Sequence, residues 1–324
     1  MIRIAGVLGL LLLMYLGLGL TDENGLSASN LRDVTNRQGF YGVVTLGVAV
    51  LIITGAIDLS IGSVVGFSAI LFGTMILKGY SPFVATICAM SIGAITGLIY
   101  GLLVTKLRLQ SFLVTLCGLF IFRGLARWTS DGNIGLSQVM SKAPEAEGQL
   151  TLLRRVLIGK TFDGELLFPN EFVVMLALAG LLAVVLHLTI YGRYWYAIGY
   201  NERAARFAGI DTDRMRIVGF VLCSTLASFA GVMLFLDYGQ ATPESAGEFL
   251  ELYAITGAVL GGCSLKGGEG TVPGMVLGAM VLPLLRNLMV FAEIRDAVMP
   301  VVIGMTLMSG AMVDEFLRRV QGRS

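Results

Sequence analysis

The sequence predicts an all-α protein, a polytopic transmembrane helical bundle, and three observations predict it. Hydrophobic residues make up 56% of the 324 residues, and the mean hydropathy is +0.81. Charged residues make up only 14%, against about 25% in an ordinary soluble domain. The apolar residues form long charge-free runs, as membrane-spanning helices do. This composition excludes a soluble globular enzyme, and a formal net charge of +1 argues against a nucleic-acid-binding protein.

Ten stretches without Asp, Glu, Lys or Arg are the candidate spans. They are 4–21, 38–57, 59–77, 79–105, 109–122, 172–192, 217–236, 252–265, 270–285 and 297–313. A helix needs roughly 20 apolar residues to cross the hydrocarbon core. Because 109–122, 252–265 and 270–285 are short, we expect about ten spans, with eight or nine as alternatives. No cleavage site follows the first stretch, so we expect an uncleaved span rather than a signal peptide.

Basic residues orient the spans. With both termini in the cytoplasm, the arginine-rich segment 193–216 also lies inside, as the positive-inside rule favours. The C-terminal Arg318, Arg319 and Arg323 lie on the same side. The long segment 130–170 is then an extracytoplasmic loop. We expect the whole chain to form a single transmembrane domain.

Glycines recur at intervals of four residues within several predicted spans. The repeats are Gly93, Gly97 and Gly101; Gly270, Gly274 and Gly278; and the pairs Gly62/Gly66 and Gly257/Gly261. Small residues at this spacing let two helix backbones approach closely in lipid. We interpret the repeats as helix packing within one subunit, with a self-dimer interface as the alternative.

The residues that most often carry catalysis or bind metals are sparse. Cys88, Cys117, Cys223 and Cys263 each lie in an apolar stretch without a partner at CxxC spacing, and His187 is the only histidine. We expect buried thiols, no metal site and no cofactor. No ATP-binding loop is present, so energy for uphill transport would have to come from elsewhere.

One charge interrupts the apolar sequence between the second and third spans. Asp58 lies in the segment 54–63 with two glycines and several hydroxyl groups. An aspartate at mid-membrane costs at least about 2.5–3.5 kcal/mol, so it faces protein or water. In one interpretation Asp58 lies in a short loop or caps the next helix, helped by Ser60 and Ser63. In the other, a broken helix lines a polar route.

The segment 193–216 contains a predicted helix of about seven residues. Asn201 is a good N-cap, Glu202 suits the first turn, and Gly209 is a natural stop. Its predicted small face and basic flank comprise Ala204, Ala205 and Ala208, and Arg203 and Arg206. So short a helix needs something to pack on. It is either a surface helix on the membrane or a docking element for a soluble partner.

Four motifs, in order, resemble the permease subunits of bacterial ABC importers for sugars of the ribose, galactose, arabinose and xylose type. They are Thr54–Ser63, Gln110–Leu116 with Arg123–Gly124, Gly199–Ala205 with Gly209–Ile210, and Gly261–Gly270. The resemblance covers nearly the whole chain. This sequence departs from the family pattern at Ala56, Gln110, Cys117, Ala208 and Cys263. These departures leave the particular sugar open.

The resemblance implies an ATP-driven importer of the bacterial inner membrane. Two permease subunits, identical or related, would form the pore and work by alternating access. A separate cytoplasmic ATPase would hydrolyse ATP, and a periplasmic sugar-binding protein would deliver a small sugar. Contacts with that binding protein would come from the segments 130–170 and 237–251, the second of which carries Asp237, Glu244, Glu248 and Glu251.

The resemblance also implies two sets of site residues. The residues expected to couple the permease to the ATPase are Gly199, Asn201, Glu202, Arg203, Ala204, Ala205 and Gly209. Those expected to line the translocation pathway are Asp58, Ser60, Ser63, Ser111, Phe112 and Thr115.

A stand-alone secondary transporter of a small polar solute is the alternative function. Such a protein needs ionisable residues within the membrane for ion coupling. Here the candidates are Asp58 and Arg123.

Overall fold

The computed structural model describes residues 2–161, 164–165 and 169–320. Arg323, one of the C-terminal charges predicted to lie in the cytoplasm, falls outside these residues. So do a few residues of the predicted loop 130–170.

Helices account for nearly all of the regular structure in the described part of the chain. They are α1 (Ile2–Thr21), α2 (Ala28–Ile53), α3 (Ile61–Leu77), α4 (Pro82–Thr105), α5 (Ser111–Thr129), α6 (Leu136–Lys142), α7 (Glu147–Leu153), α8 (Asn170–Ala183), α9 (Ile190–Tyr200), α10 (Glu202–Phe207), α11 (Thr212–Tyr238), α12 (Leu250–Leu260), α13 (Val272–Phe291) and α14 (Met299–Val320). The strands, each of two residues, are β1 (Ile134–Gly135), β2 (Lys160–Thr161), β3 (Gly164–Glu165) and β4 (Gln240–Ala241).

Each of the ten charge-free stretches overlaps a helix, which confirms the all-α polytopic membrane fold. Within the described residues, seven helices are long and apolar enough to cross a membrane. Two more, Ile61–Leu77 and Leu250–Leu260, are shorter apolar helices. The total of ten spans and the cytoplasmic location of both termini stay predictions.

Local sequence sets where several of these helices begin. Ser27, Ser81 and Thr271 each accept a hydrogen bond from a backbone N–H in the first turn of α2, α4 and α13, at 3.3 Å. Their hydroxyls satisfy donors that have no intrahelical partner. Pro82 and Pro273 occupy the first turns of α4 and α13, where a missing N–H costs nothing.

The chain divides into two compact units. Unit 1 comprises Met1–Gly55, Met175–Ile210 and Leu252–Ser324. In it α13 packs against α1 and α2. One core cluster joins these helices through Val7, Leu11, Met14, Leu18, Val34, Val281 and Leu284. Backbone contact between α12 and α13 occurs where Gly257 and Gly261 face Gly278 and Gly274.

Unit 2 comprises Ala56–Val174 and Asp211–Glu251. Here α11 packs against α4 and α3, and α3 also packs against α5. The repeat on α4 lies against α11, since a Cβ on Gly93, Gly97 or Gly101 would overlap that helix. These contacts confirm that the repeat serves packing within one subunit.

Two regions differ in detail from the simple pattern of spans and loops. The stretch 172–192 contains α8 and a π-helical turn that ends at Leu188, and a new helix, α9, follows the extended Thr189. The predicted loop 130–170 holds α6 and α7, and its β1 pairs antiparallel with β4, opposing Ile134 to Ala241. This pairing joins the two segments expected to contact a binding protein.

Candidate functional site

The first candidate site is the break between α2 and α3. α2 ends at Ile53 and α3 begins at Ile61, so the intervening residues are not helical. Gly55 has a φ of +78°, a conformation that other residues rarely adopt. The two apolar runs are therefore separate helices joined by a short ordered segment.

Asp58 organises this break and is fully buried. Its Oδ1 accepts hydrogen bonds from the backbone N–H and the hydroxyl of Ser60, both at 2.7 Å. The Ser63 hydroxyl donates to the Ser60 carbonyl at 2.6 Å. This pattern agrees with the interpretation in which Asp58 lies in a loop and supports the start of the next helix.

Two hydroxyl groups on the neighbouring helix α5 form hydrogen bonds with the backbone of this segment. The Ile57 N–H donates to Ser111 Oγ at 3.5 Å, and the Leu59 N–H donates to Thr115 Oγ1 at 3.1 Å. The Thr115 hydroxyl in turn donates to the Ser111 carbonyl at 2.9 Å. Since an unpaired buried backbone group is costly, these side chains stabilise a non-helical backbone that the apolar surroundings would otherwise disfavour.

The break thus brings together five of the six residues expected to line the pathway. Asp58, Ser60, Ser63 and Thr115 are buried, and Ser111 is half-buried. Phe112 differs because 52% of it is exposed. Their assignment to the pathway stays a prediction.

Tyr100 belongs to this cluster and was missed by the sequence reasoning. It is buried on α4, and its hydroxyl lies where a Cβ on Gly118 would be. The same Cβ would lie 3.2 Å from Ser60 Cβ, so the phenol reaches the break beside α5. The one sequence signal was Gly118, a glycine in the middle of an apolar helix.

Arg123 makes a backbone contact in the same unit. Its Nη1 donates to the carbonyls of Ala246 at 2.7 Å and Glu244 at 3.4 Å. This anchors α5 to the loop after β4. The guanidinium therefore already has a positioning role, which weakens its candidacy as an ion-coupling group.

The second candidate site is α10, and its predicted caps are confirmed. Asn201 Oδ1 accepts a hydrogen bond from the Ala204 N–H at 3.0 Å. Gly209 follows the helix with a φ of +82°. Glu202 and Arg206 form an ion pair along the helix at 3.3 Å.

The alanines of the predicted small-residue face of α10 differ in exposure. Only Ala205 is buried, at 5% exposure, whereas Ala204 and Ala208 are exposed. That these three alanines form a small-residue face for packing on another surface stays a prediction. The large apolar groups at this surface are Phe207, 93% exposed, and Tyr200, 82% exposed.

The other residues expected to couple the permease to the ATPase differ in exposure. Asn201 and Arg203 are exposed, and Glu202 is half-buried. Gly199 instead packs against its own chain, beside the carbonyl of Ile53 and the N–H of Gly268. Within the described residues, no three His, Cys, Asp or Glu side chains converge as metal ligands would.

Comparison with known proteins places the chain in a family. Residues 30–310 match a family described as the permease component of a branched-chain amino acid transport system. The chain belongs to this permease family. The match spans both candidate sites.

Curated relatives of the permease share about a third of its residues. It is 32% identical to the ribose import permease protein of Bacillus subtilis (strain 168), over 96% of this chain and 92% of that protein. It is 29% identical to the fructose import permease protein of Rhizobium meliloti, over 91% and 80% of the two chains. It is 32% identical to the autoinducer 2 import system permease protein of Salmonella typhi, over 94% and 83%. No solved structure matches the permease.

Proposed function

We propose that this permease is one of two membrane subunits of an ATP-driven importer for a monosaccharide or similar small sugar, in the bacterial inner membrane. The main support for this proposal is the similarity, over nearly the full length of the chain, to permeases named for ribose and fructose import. The family description names branched-chain amino acids instead. The named relatives favour the sugar.

The break between α2 and α3 supports a polar solute route. Its backbone is held in a non-helical form by hydroxyls and one carboxylate. Irregular backbone at membrane depth is tolerated where it is enclosed by protein or lines a water-filled cavity. Asp58, Ser60, Ser63, Ser111, Phe112 and Thr115 are the proposed pathway residues.

α10 is the proposed contact for a separate cytoplasmic ATPase. An exposed phenylalanine and tyrosine beside exposed arginines suit a protein interface, because aromatic residues and arginine dominate binding energies there. ATP binding and hydrolysis in the partner would displace α10 and switch the permease between outward-open and inward-open states.

The paired segment β1–β4 is the proposed contact for a sugar-binding protein outside the membrane. It joins residues of 130–170 to residues of 237–251. Glu244 and Glu248 are exposed near it. Acidic groups at such a rim would guide a partner with basic residues.

Solute uptake tests the proposed substrate class. Cells lacking the permease would be compared with cells that regain it, for uptake of radiolabelled ribose, fructose and leucine. We expect uptake of at least one of the two sugars to be absent from cells without the permease and to return in cells that regain it. Restored leucine uptake without any sugar uptake would contradict the sugar assignment and support the amino acid.

Co-purification in mild detergent tests the ATPase partner. We expect an ABC ATPase to co-purify with the wild-type permease. The amount that co-purifies with Phe207→Ala should be lower by roughly tenfold or more, as expected when an interface hot spot is removed. Trp128→Ala is the matched control, because Trp128 is a similarly exposed aromatic residue on another helix (84%, against 93% for Phe207). If no ATPase accompanies the wild type while uptake persists, the secondary transporter becomes the better account.

A further inference from the structure

We propose that Gly268, with Gly267 and Gly199, forms a backbone latch that transmits displacement of α10 to the end of α2. The inference rests on the proposed docking of an ATPase at α10. Three segments of unit 1 meet at the latch without intervening side chains: the end of α2, the last turn of α9 and the glycine-rich loop 261–270.

A single residue joins α10 to α9. The Asn201 N–H donates to the Ala197 carbonyl at 3.0 Å and so ends α9. Its side chain accepts from the Ala204 N–H, also at 3.0 Å, and so begins α10. A joint of one residue that is bonded on both sides has little freedom to absorb movement. Displacement of α10 therefore moves the last turn of α9.

That last turn touches the end of α2 through Gly199. A Cβ on Gly199 would overlap the Ile53 carbonyl oxygen and the Gly268 nitrogen. The Gly268 N–H itself donates to the Ile53 carbonyl at 2.8 Å. Because Ile53 ends α2, its carbonyl has no partner within the helix, and the loop supplies one.

Only glycine fits at the two positions where the loop 261–270 contacts α2 and α9. Gly267 and Gly268 have φ values of +88° and +76°. A Cβ on Gly267 would lie 2.9 Å from the Gly55 nitrogen and from Gly199 Cα. A Cβ on Gly268 would lie 2.8 Å from the Tyr200 nitrogen. Both the conformation and the close approach exclude a side chain.

One side chain closes the latch from α9. The Tyr196 hydroxyl donates to the Gly270 carbonyl at 2.8 Å, one turn before Gly199. The loop is thus bonded to α2 by Gly268 and to α9 by Tyr196. Close-packed backbone of this kind transmits displacement rather than absorbing it. Since Asp58 follows Gly55 by three residues, the movement arrives next to the break in the proposed pathway.

The test measures sugar transported per ATP hydrolysed, in vesicles that contain the permease with its ATPase and binding protein. Gly268→Ala places a methyl group against the Tyr200 backbone. Gly79→Ala is the matched control, because Gly79 has a similar φ of +86° but nothing within 4 Å of an added Cβ. We expect Gly268→Ala to keep its ATPase and to transport roughly tenfold less sugar per ATP, as loss of coupling predicts. The control variant should match the wild type.

Tyr196→Phe gives a second test that adds no volume. It removes only the bond to Gly270, and we expect roughly two- to threefold less sugar per ATP. If Gly268→Ala is not recovered from membranes, Tyr196→Phe decides the question. Wild-type coupling in every recovered latch variant would overturn the latch, as would loss of the ATPase from Gly268→Ala. Failure of the wild type to bind an ATPase would overturn the proposed function instead.

Discussion

The break between α2 and α3 and the helix α10 are both short, glycine-flanked and polar, yet the side chains that characterise them differ in exposure. At the break, Asp58 and the neighbouring Thr115 of α5 are buried, and they accept hydrogen bonds from the backbone N–H groups of Ser60 and Leu59. At α10, Arg203 and Phe207 are exposed. Substitutions in the break should therefore affect stability first, and substitutions on the outer surface of α10 should affect association first.

The largest stability effect is expected at Asp58. Asp58→Ala removes the acceptor for two bonds from Ser60, each worth roughly 1.5–3 kcal/mol when the acceptor is charged. Asp58→Asn is the control, because an amide oxygen can still accept from Ser60. Thermal aggregation in detergent should show a marked loss for alanine and a smaller one for asparagine. Equal losses would mean that the charge, rather than the acceptor, holds the break.

A smaller effect is expected where α5 fastens the break. Thr115→Val keeps the shape of the side chain but leaves the Leu59 N–H without its acceptor, at a cost of about 1–3 kcal/mol. Thr129→Val is the control on the same helix, because among the described residues the Thr129 hydroxyl bonds only the Leu125 carbonyl of its own helix. Thermal stability should fall in the first variant and change little in the second. A loss of thermal stability in Thr129→Val but not in Thr115→Val would mean that the Thr115 hydroxyl does not stabilise the break.

The smallest effect is expected at the N-cap of α10. Asn201→Ala removes the cap bond to Ala204, and losing such a cap costs about 1 kcal/mol. Amide exchange over 202–208 should rise roughly fivefold at that cost, while the melting temperature of the whole permease stays the same. Asn201→Ser should retain most of the protection. A fall in the melting temperature of the whole permease would mean that α10 is part of the core and not an exposed surface element.

Much of the fold was predictable from the sequence. Charge-free runs located the helices, because a buried charge in lipid is costly and therefore rare. The caps of α10 followed from Asn201 and Gly209, since local hydrogen bonding decides them. The helix break at Thr189 was not predictable, because Gly192, which packs against the Leu186 backbone there, resembles any other glycine of a predicted span in the sequence.

The candidate sites were predictable as segments but not as surfaces. Composition placed Ala204 and Ala205 on one face, yet only the packed helix shows that Ala205 alone is buried. Likewise, the segment 261–270 was recognisable as a glycine-rich motif. Its contact with Gly199 and Ile53 depends on which distant backbones meet, and tertiary packing alone sets that.

One paired measurement compares the buried break with the exposed α10. Phe207→Ala and Thr115→Val would be purified side by side, and each would be assayed for retained ATPase and for melting temperature. We expect Phe207→Ala to lose the ATPase at an unchanged melting temperature, and Thr115→Val to keep the ATPase at a lowered one. The opposite pattern, with a destabilised Phe207→Ala that retains the ATPase, would contradict the assignment of α10 as the outward docking element.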